Sequence, residues 1–223
     1  MKSMARFTSS VGAAAALAAV GTWLFLSGNP EAGPNRKAQQ KEKAVQGDLL
    51  PYVKVVPPDV LKREYVNMRV TPYNDPKFYF EVTVPRSFEN QPLQVSRQQL
   101  QDDAKRPVAM AEFKPKDDQS VLIEARYARV AENVTLDRFM AVYVEKSGFQ
   151  FVKRQRGDFD GRQVEDALVR IDSPVFGKTL TRLTVSRRGD LIFMVAGSCR
   201  EDDYAKWKQA FAVAALSFSP TGK

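Results

Sequence analysis

Histidine is absent from the 223-residue chain, and cysteine occurs once, as Cys199. Without an imidazole there is no Ser-His-Asp or Cys-His catalytic unit, no His-bearing zinc site and no histidine pH switch. A lone thiol makes no internal disulfide, no thiolate zinc site and no CxxC redox pair. Acids are the minority, 26 Asp plus Glu against 34 Lys plus Arg, so the formal charge is +8. What is present in quantity is apolar surface: 43% hydrophobic residues is the composition of a folded protein.

The apolar residues begin early. Lys2 and Arg6 precede Val11 to Leu26 (VGAAAALAAVGTWLFL), which carries no charge and no polar stripe. Sixteen helical residues reach about 24 Å, and the mild residues Thr8 to Ser10 and Ser27 extend them toward a hydrocarbon core of roughly 30 Å. Residues 1–28 therefore read as a signal-anchor or transmembrane segment, with a cleaved signal as the alternative. A cut after Gly21 leaves an apolar mature terminus and a cut after Gly28 puts Leu26 at the −3 position, so the cleavage sites are poor. The positive-inside rule keeps the first residues in the cytoplasm and exports the rest. The expected location is the bacterial inner membrane, single-pass, with the C-terminal domain periplasmic, or a soluble periplasmic form after cleavage.

From Asn29 to Asp48 the chain turns to Pro, Gly, Gln, Lys and Glu, too polar to offset its ordering entropy, and reads as a tether. Pro57-Pro58 excludes a central strand, so residues 29–71 are expected to be linker and extended arm, with a short helix or strand in Val60 to Thr71. The globular domain is expected over 72–219, about 148 residues, enough to bury roughly 68–70% of its unfolded surface. Residues 220–223 are left as a tail.

Within the domain, Phe78, Phe80, Val82 and Val84 alternate toward Pro85, the pattern of a half-buried strand. Pro107 to Lys114 and Ser120 to Arg129 read as two more, joined by Pro115-Lys116-Asp117-Asp118. Leu136, Phe139, Met140, Tyr143 and Val144 form a helical stripe capped by Thr135, with Val134 as a staple and Gly148 at its end. Four strand-like runs follow, over 149–157, 162–172, 179–188 and 191–197, with turns short enough for antiparallel neighbours. A last helix, about Glu201 to Ala215, presents Tyr204, Trp207, Phe211 and Ala214 on one face, with Ser198 and Glu201 spaced as a capping box. The fold class is α+β, an antiparallel sheet flanked by helices.

The strand FYFEVTVP (78–85), the helix TLDRFMAVYVEKSG, Gly161-Arg162 opening a strand, and RRGDLIFMVAGSC leading to YAKWKQAFAVAALSFS resemble the PsbP-like fold. That family includes the extrinsic PsbP proteins of photosystem II, a yeast Ran-binding relative and bacterial envelope proteins of the DcrB type. The resemblance covers roughly Lys77 to Ser219. It implies an α/β/α sandwich and a small non-catalytic accessory or binding domain, and transfers no catalytic residues.

Individual motifs have plain structural readings. Cys199 beside Arg200 lacks a resolving thiol or a base and reads as a small buried strand-end residue. Asp158, Asp160 and Gly161 resemble part of a calcium loop but have Arg156 at the first ligand position and no Glu at the twelfth, so they read as a turn. Asp102-Asp103 and Asp117-Asp118 have no base or nucleophile beside them. Arg188-Gly189-Asp190 fits a hairpin tip, and Thr135 of the sequon Asn133-Val134-Thr135 already serves as a cap.

The basic residues on or near strands, above all Arg126, Lys153, Arg154, Arg170, Arg182 and Arg187, are the candidate partner-binding set. On one face they form a positive surface; otherwise Glu124, Glu165, Asp166 and Asp172 pair with them across strands. No catalytic residue, metal or cofactor is assigned. The expected function is a non-catalytic accessory domain that binds a protein in the cell envelope, with a secretion or transport assembly as one setting for it. The alternative is a periplasmic carrier with a small ligand between sheet and helix. Nucleic acid is disfavoured for an exported domain.

Overall fold

The computed structural model describes residue 49 and residues 56–72, 78–93, 107–173 and 177–221. The segment 1–28, the tether 29–48, Asp102-Asp103 and the last two residues lie outside them. In chain order the elements are α1 (Pro58–Glu64), β1 (Tyr65–Val70), β2 (Tyr79–Pro85), β3 (Phe88–Gln91), β4 (Val108–Pro115), β5 (Leu122–Arg129), α2 (Leu136–Lys146), β6 (Gln150–Phe159), β7 (Arg162–Ser173), β8 (Gly177–Arg188), β9 (Leu191–Arg200), a 3-10 turn at Glu201–Asp203, α3 (Tyr204–Ser217) and β10 (Ser219–Thr221).

Two antiparallel sheets result. One runs β3-β4-β5-β9-β8-β7-β6 and the other β1-β2-β10. Alternation along the strands assigns side chains to two cores. On β9, Phe193, Val195 and Cys199 enter the core that includes Phe211, Ala214 and Phe218, while Ile192, Met194 and Ala196 enter the core that includes Phe139, Met140 and Tyr143 of α2. Helix α3 packs on β8 and β9 of the large sheet and on β2 of the small one, whereas α2 covers β6, β7 and β8. The expected helix, sheet, helix order is present, with a second sheet added against α3.

The sequence signals of α2 act as expected. Thr135 Oγ1 accepts the Arg138 amide at 3.2 Å, and Gly148 takes φ +69° just past the helix. The β6–β7 hairpin turns on Asp160 and Gly161, both at positive φ, the geometry that matches strand twist. Asp158 Oδ1 accepts the Gly161 amide at 3.0 Å, so these acids build a turn.

Four expectations are corrected. The short helix or strand expected in Val60 to Thr71 is present as both, so the extended arm ends earlier: α1 begins at Pro58, whose fixed φ suits a first helical position, and β1 pairs with β2 from Tyr65↔Pro85 to Val70↔Phe80. Leu49 and Val56 are buried as well, so apolar residues before position 72 belong to the core. Ser198 and Glu201 form no capping box, because β9 continues to Arg200 in register with Thr179 of β8, and the Ser198 hydroxyl pairs with Thr181 Oγ1 at 2.8 Å. The start of the presumed tail belongs to β10, paired with β2 through Ser219↔Glu81. Finally, β3 extends the large sheet where no strand was expected.

Candidate functional site

A crevice lined by Phe159, Val164, Phe193 and Phe218, among others, offers about 10 Å³, roughly the room of one water molecule. That volume excludes a small organic ligand from it. Among the described residues no cluster of Cys, Asp and Glu is arranged to hold a metal ion.

The candidate basic residues do not share one face. Arg182 is buried, its Nε and Nη2 donating to the two oxygens of Asp166 at 3.1 and 2.8 Å, with the Thr184 hydroxyl donating to the same carboxylate at 2.5 Å. Arg126 lies on the opposite face of the sheet, 2.6 Å from the buried Glu124 carboxylate. Burial works against its charge, yet Glu124, Tyr143 and Glu112 outweigh that and hold its pKa above the ordinary value. Arg187 reaches the carbonyls of Ala131, Glu132 and Val134 and thereby fixes the loop leading into α2. Arg170 of β7 pairs with Glu201 and lies opposite Gln150, at the start of β6. A cross-strand acid for Arg182, a same-strand acid for Arg126, Glu201 for Arg170 and backbone carbonyls for Arg187 therefore engage the charge that a shared surface needed.

The hairpin tripeptide is engaged in the same way. Arg188 donates to the Pro220 carbonyl at 2.7 Å and Asp190 pairs with Arg129, so both charged members are bound within the domain. Cys199 is closed from solvent, its thiol pushed up to about 12 by burial, with Asp203 and Asp118 adding to it. A thiol in that state is inert near neutrality.

One place departs from this self-sufficiency, the strand β6. Among the described residues it pairs with β7 alone, so it forms an edge of the large sheet. Its register slips between Phe151 and Lys153, a β-bulge, and there Phe151 and Val152 stand 43% and 41% exposed. They are the exposed large hydrophobics among the described residues. Arg154 connects this spot to α2: its guanidinium lies 5.3 Å from the Phe151 ring centre, donates to Asp137 at 2.6 Å and approaches Glu165 at 3.3 Å. Arg156 donates to the other Glu165 oxygen at 2.5 Å while its side chain remains 65% exposed. Glu165 thus anchors two cations, which stand beside two apolar side chains on an open strand edge. Lys153 and Arg154 of the candidate set belong to this site and Arg170 borders it, opposite Gln150; Arg126, Arg182 and Arg187 do not belong to it. Sequence reading passed over Phe151 and Val152, although two adjacent apolar residues break strict alternation and so mark a bulge.

No protein-family model and no curated protein matches the sequence. Among solved structures, PsbP from the cyanobacterium Synechocystis sp. PCC 6803 is similar at 16% identity with a TM-score of 0.49, over 70% of this chain and 92% of that one. LpqN, involved in cell envelope biogenesis of Mycobacterium tuberculosis, is similar at 12% identity with a TM-score of 0.44, over 73% and 95% of the two chains. A Pseudomonas aeruginosa protein of unknown function is similar at 13% identity with a TM-score of 0.34, over 66% and 94%. What the chain binds is a matter for its own residues.

Proposed function

We propose that the chain is an accessory domain without turnover of its own, held at the bacterial inner membrane by its N-terminal segment and binding a protein partner in the cell envelope. The observation that carries this reading is the exposed Phe151 and Val152 on β6, which among the described residues pairs with β7 alone, beside Arg154 and Arg156. An exposed apolar pair on an edge strand is a place that another chain can cover. The charge asymmetry around Val11 to Leu26 supports the tether, and the missing histidine together with the inert thiol supports the absence of turnover. The carrier alternative has against it the crevice under α3, which has room for a single water.

Photocrosslinking in cells tests the reading. A photoreactive residue placed at Phe151 or Val152 of the full chain is expected to form discrete adducts with one or a few envelope proteins, whereas one at Arg188 is not. Adducts from no surface position, with a stoichiometric small molecule retained by the purified chain, favour the carrier. An alkaline phosphatase fusion after Gly47 is expected to be active in a bacterial host, and an inactive one removes the proposed export.

A further inference from the structure

Resting on that reading, we propose that β6 takes its partner by strand addition: an extended segment of another protein, alternating apolar with acidic residues, joins the large sheet beside β6.

The backbone states the first requirement. An edge strand offers a row of ladder N–H and C=O groups that an extended chain complements. Gln150–Phe159 is ten residues long, whereas the opposite edge, β3, has four. Short edges are one of the ways in which sheets discourage unwanted pairing. The bulge disturbs β6 only between Phe151 and Lys153, and the register from Lys153↔Leu168 to Phe159↔Arg162 is regular. A template of seven residues is therefore intact, with two exposed apolar side chains at its start.

Charge selects the occupant. The strand carries Lys153, Arg154 and Arg156 against Asp158. In a two-fold antiparallel pairing of β6 with a second copy, any centre from Lys153 to Gln155 sets cation against cation. Lys153 meets itself or Arg154, Arg154 meets itself, Lys153 meets Arg156, or Arg154 meets Arg156. Like charges directly opposite destabilise a ladder, so a second copy centred there is disfavoured and an acid at the facing position is favoured. Arg156, although bonded to Glu165, keeps 65% of its side chain open to a second carboxylate.

The test uses the full chain in detergent micelles and a displayed library of random twelve-residue peptides, without acidic bias. Enriched peptides are expected to alternate apolar residues with Asp or Glu, to lack proline, and to slow amide exchange over 150–159 by about tenfold or more. Phe151→Ser is expected to weaken the selected peptide, and Lys153→Glu to weaken it at least about fivefold. Amide exchange elsewhere in each variant reports whether the fold is kept. The proposal is overturned if nothing is enriched, if the binders are basic or proline-rich, or if they leave exchange over 150–159 unchanged. Protection of 150–159 by phosphatidylglycerol vesicles, with no effect of any peptide, overturns it in favour of a lipid surface. When these results accompany discrete adducts from Phe151 in cells, strand addition fails and partner binding stands; without adducts both fail.

Discussion

Phe211 of α3 lies directly on the backbone of Gly197 in β9: a Cβ added to Gly197 would stand 2.3 Å from Phe211 Cγ. A glycine inside a strand sacrifices side-chain packing, and here its lack of a side chain lets the helix seat against the sheet. Phe211 is 1% exposed in the core that joins β2 to the large sheet. The distance between α3 and β9 is therefore set by one hydrogen atom on Gly197.

Gly197→Ala is expected to cost about 1–3 kcal/mol by overpacking, and Phe211→Ala about 3–5 kcal/mol by the cavity it leaves. Because both act on one contact, the double variant is expected to lose clearly less than the sum. Thermal unfolding of all three measures this. Strict additivity would show that the contact does not limit the approach.

Asp166 and Arg182 form a buried ion pair. Arg182→Leu leaves the carboxylate without its guanidinium partner and is expected to cost about 3–5 kcal/mol, whereas Asp166→Leu combined with Arg182→Met is expected to recover most of it. Urea unfolding at neutral pH separates the two cases. A double variant as unstable as the single one would assign the pair a net stabilising role.

Glu112 sits opposite Glu124 across the β4–β5 ladder, and burial first, then the Glu124 charge, raises its pKa above the usual carboxylate range despite Lys114 and Arg126. A carboxyl with a raised folded-state pKa binds its proton more tightly when folded. Its contribution therefore favours folding at low pH and is lost as pH rises from the unfolded value through the folded one. Glu112→Gln is expected to raise Tm at pH 7 and to leave it near wild type at pH 4. A Tm gain of equal size at both pH values would sink this assignment.

Cys199 is expected to resist alkylation by iodoacetamide at pH 8 for as long as the chain is folded, since its thiol is held near 12 and enclosed. Labelling in urea is expected to go to completion. Mass spectrometry gives both extents, and rapid labelling of the folded chain would place the thiol in an accessible setting.

Residues with a strong period were the legible ones. Phe80, Val82 and Val84 in β2, and the stripe from Phe139 to Val144 in α2, sit as their spacing requires, because one face of each is buried whatever the neighbours do. The missed strands are FENQ and SPT, four and three residues with little apolar content, which exist only because β4 and β2 offer them partners. Ser198 and Glu201 have the spacing of a helix start, but pairing of Thr179 with Arg200 holds that stretch extended. At the candidate site, the strand identities of Lys153 and Arg154 were readable. Their partners were not, since Glu165 of β7 and Asp137 of α2 meet them only through the fold. The register slip at Phe151, which leaves two apolar side chains in water, is likewise a property of the β6–β7 pairing.

The pairing of β2 with β10 joins an early part of the chain to its last described residues, Glu81 to Ser219, and the Thr83 amide donates to Ser217 Oγ at 2.8 Å beside it. Synthesis runs from the N-terminus, so β1 and β2 are made long before α3 and β10, and a contact of such separation closes a loop spanning most of the domain. Until the final helix emerges, Phe80, Val82 and Val84 have no α3 to cover them, and the second edge of β2 is open. A nascent chain therefore stays unfinished along this seam up to its last turn of helix, exposing the apolar face of β2 during the interval in which chaperones act.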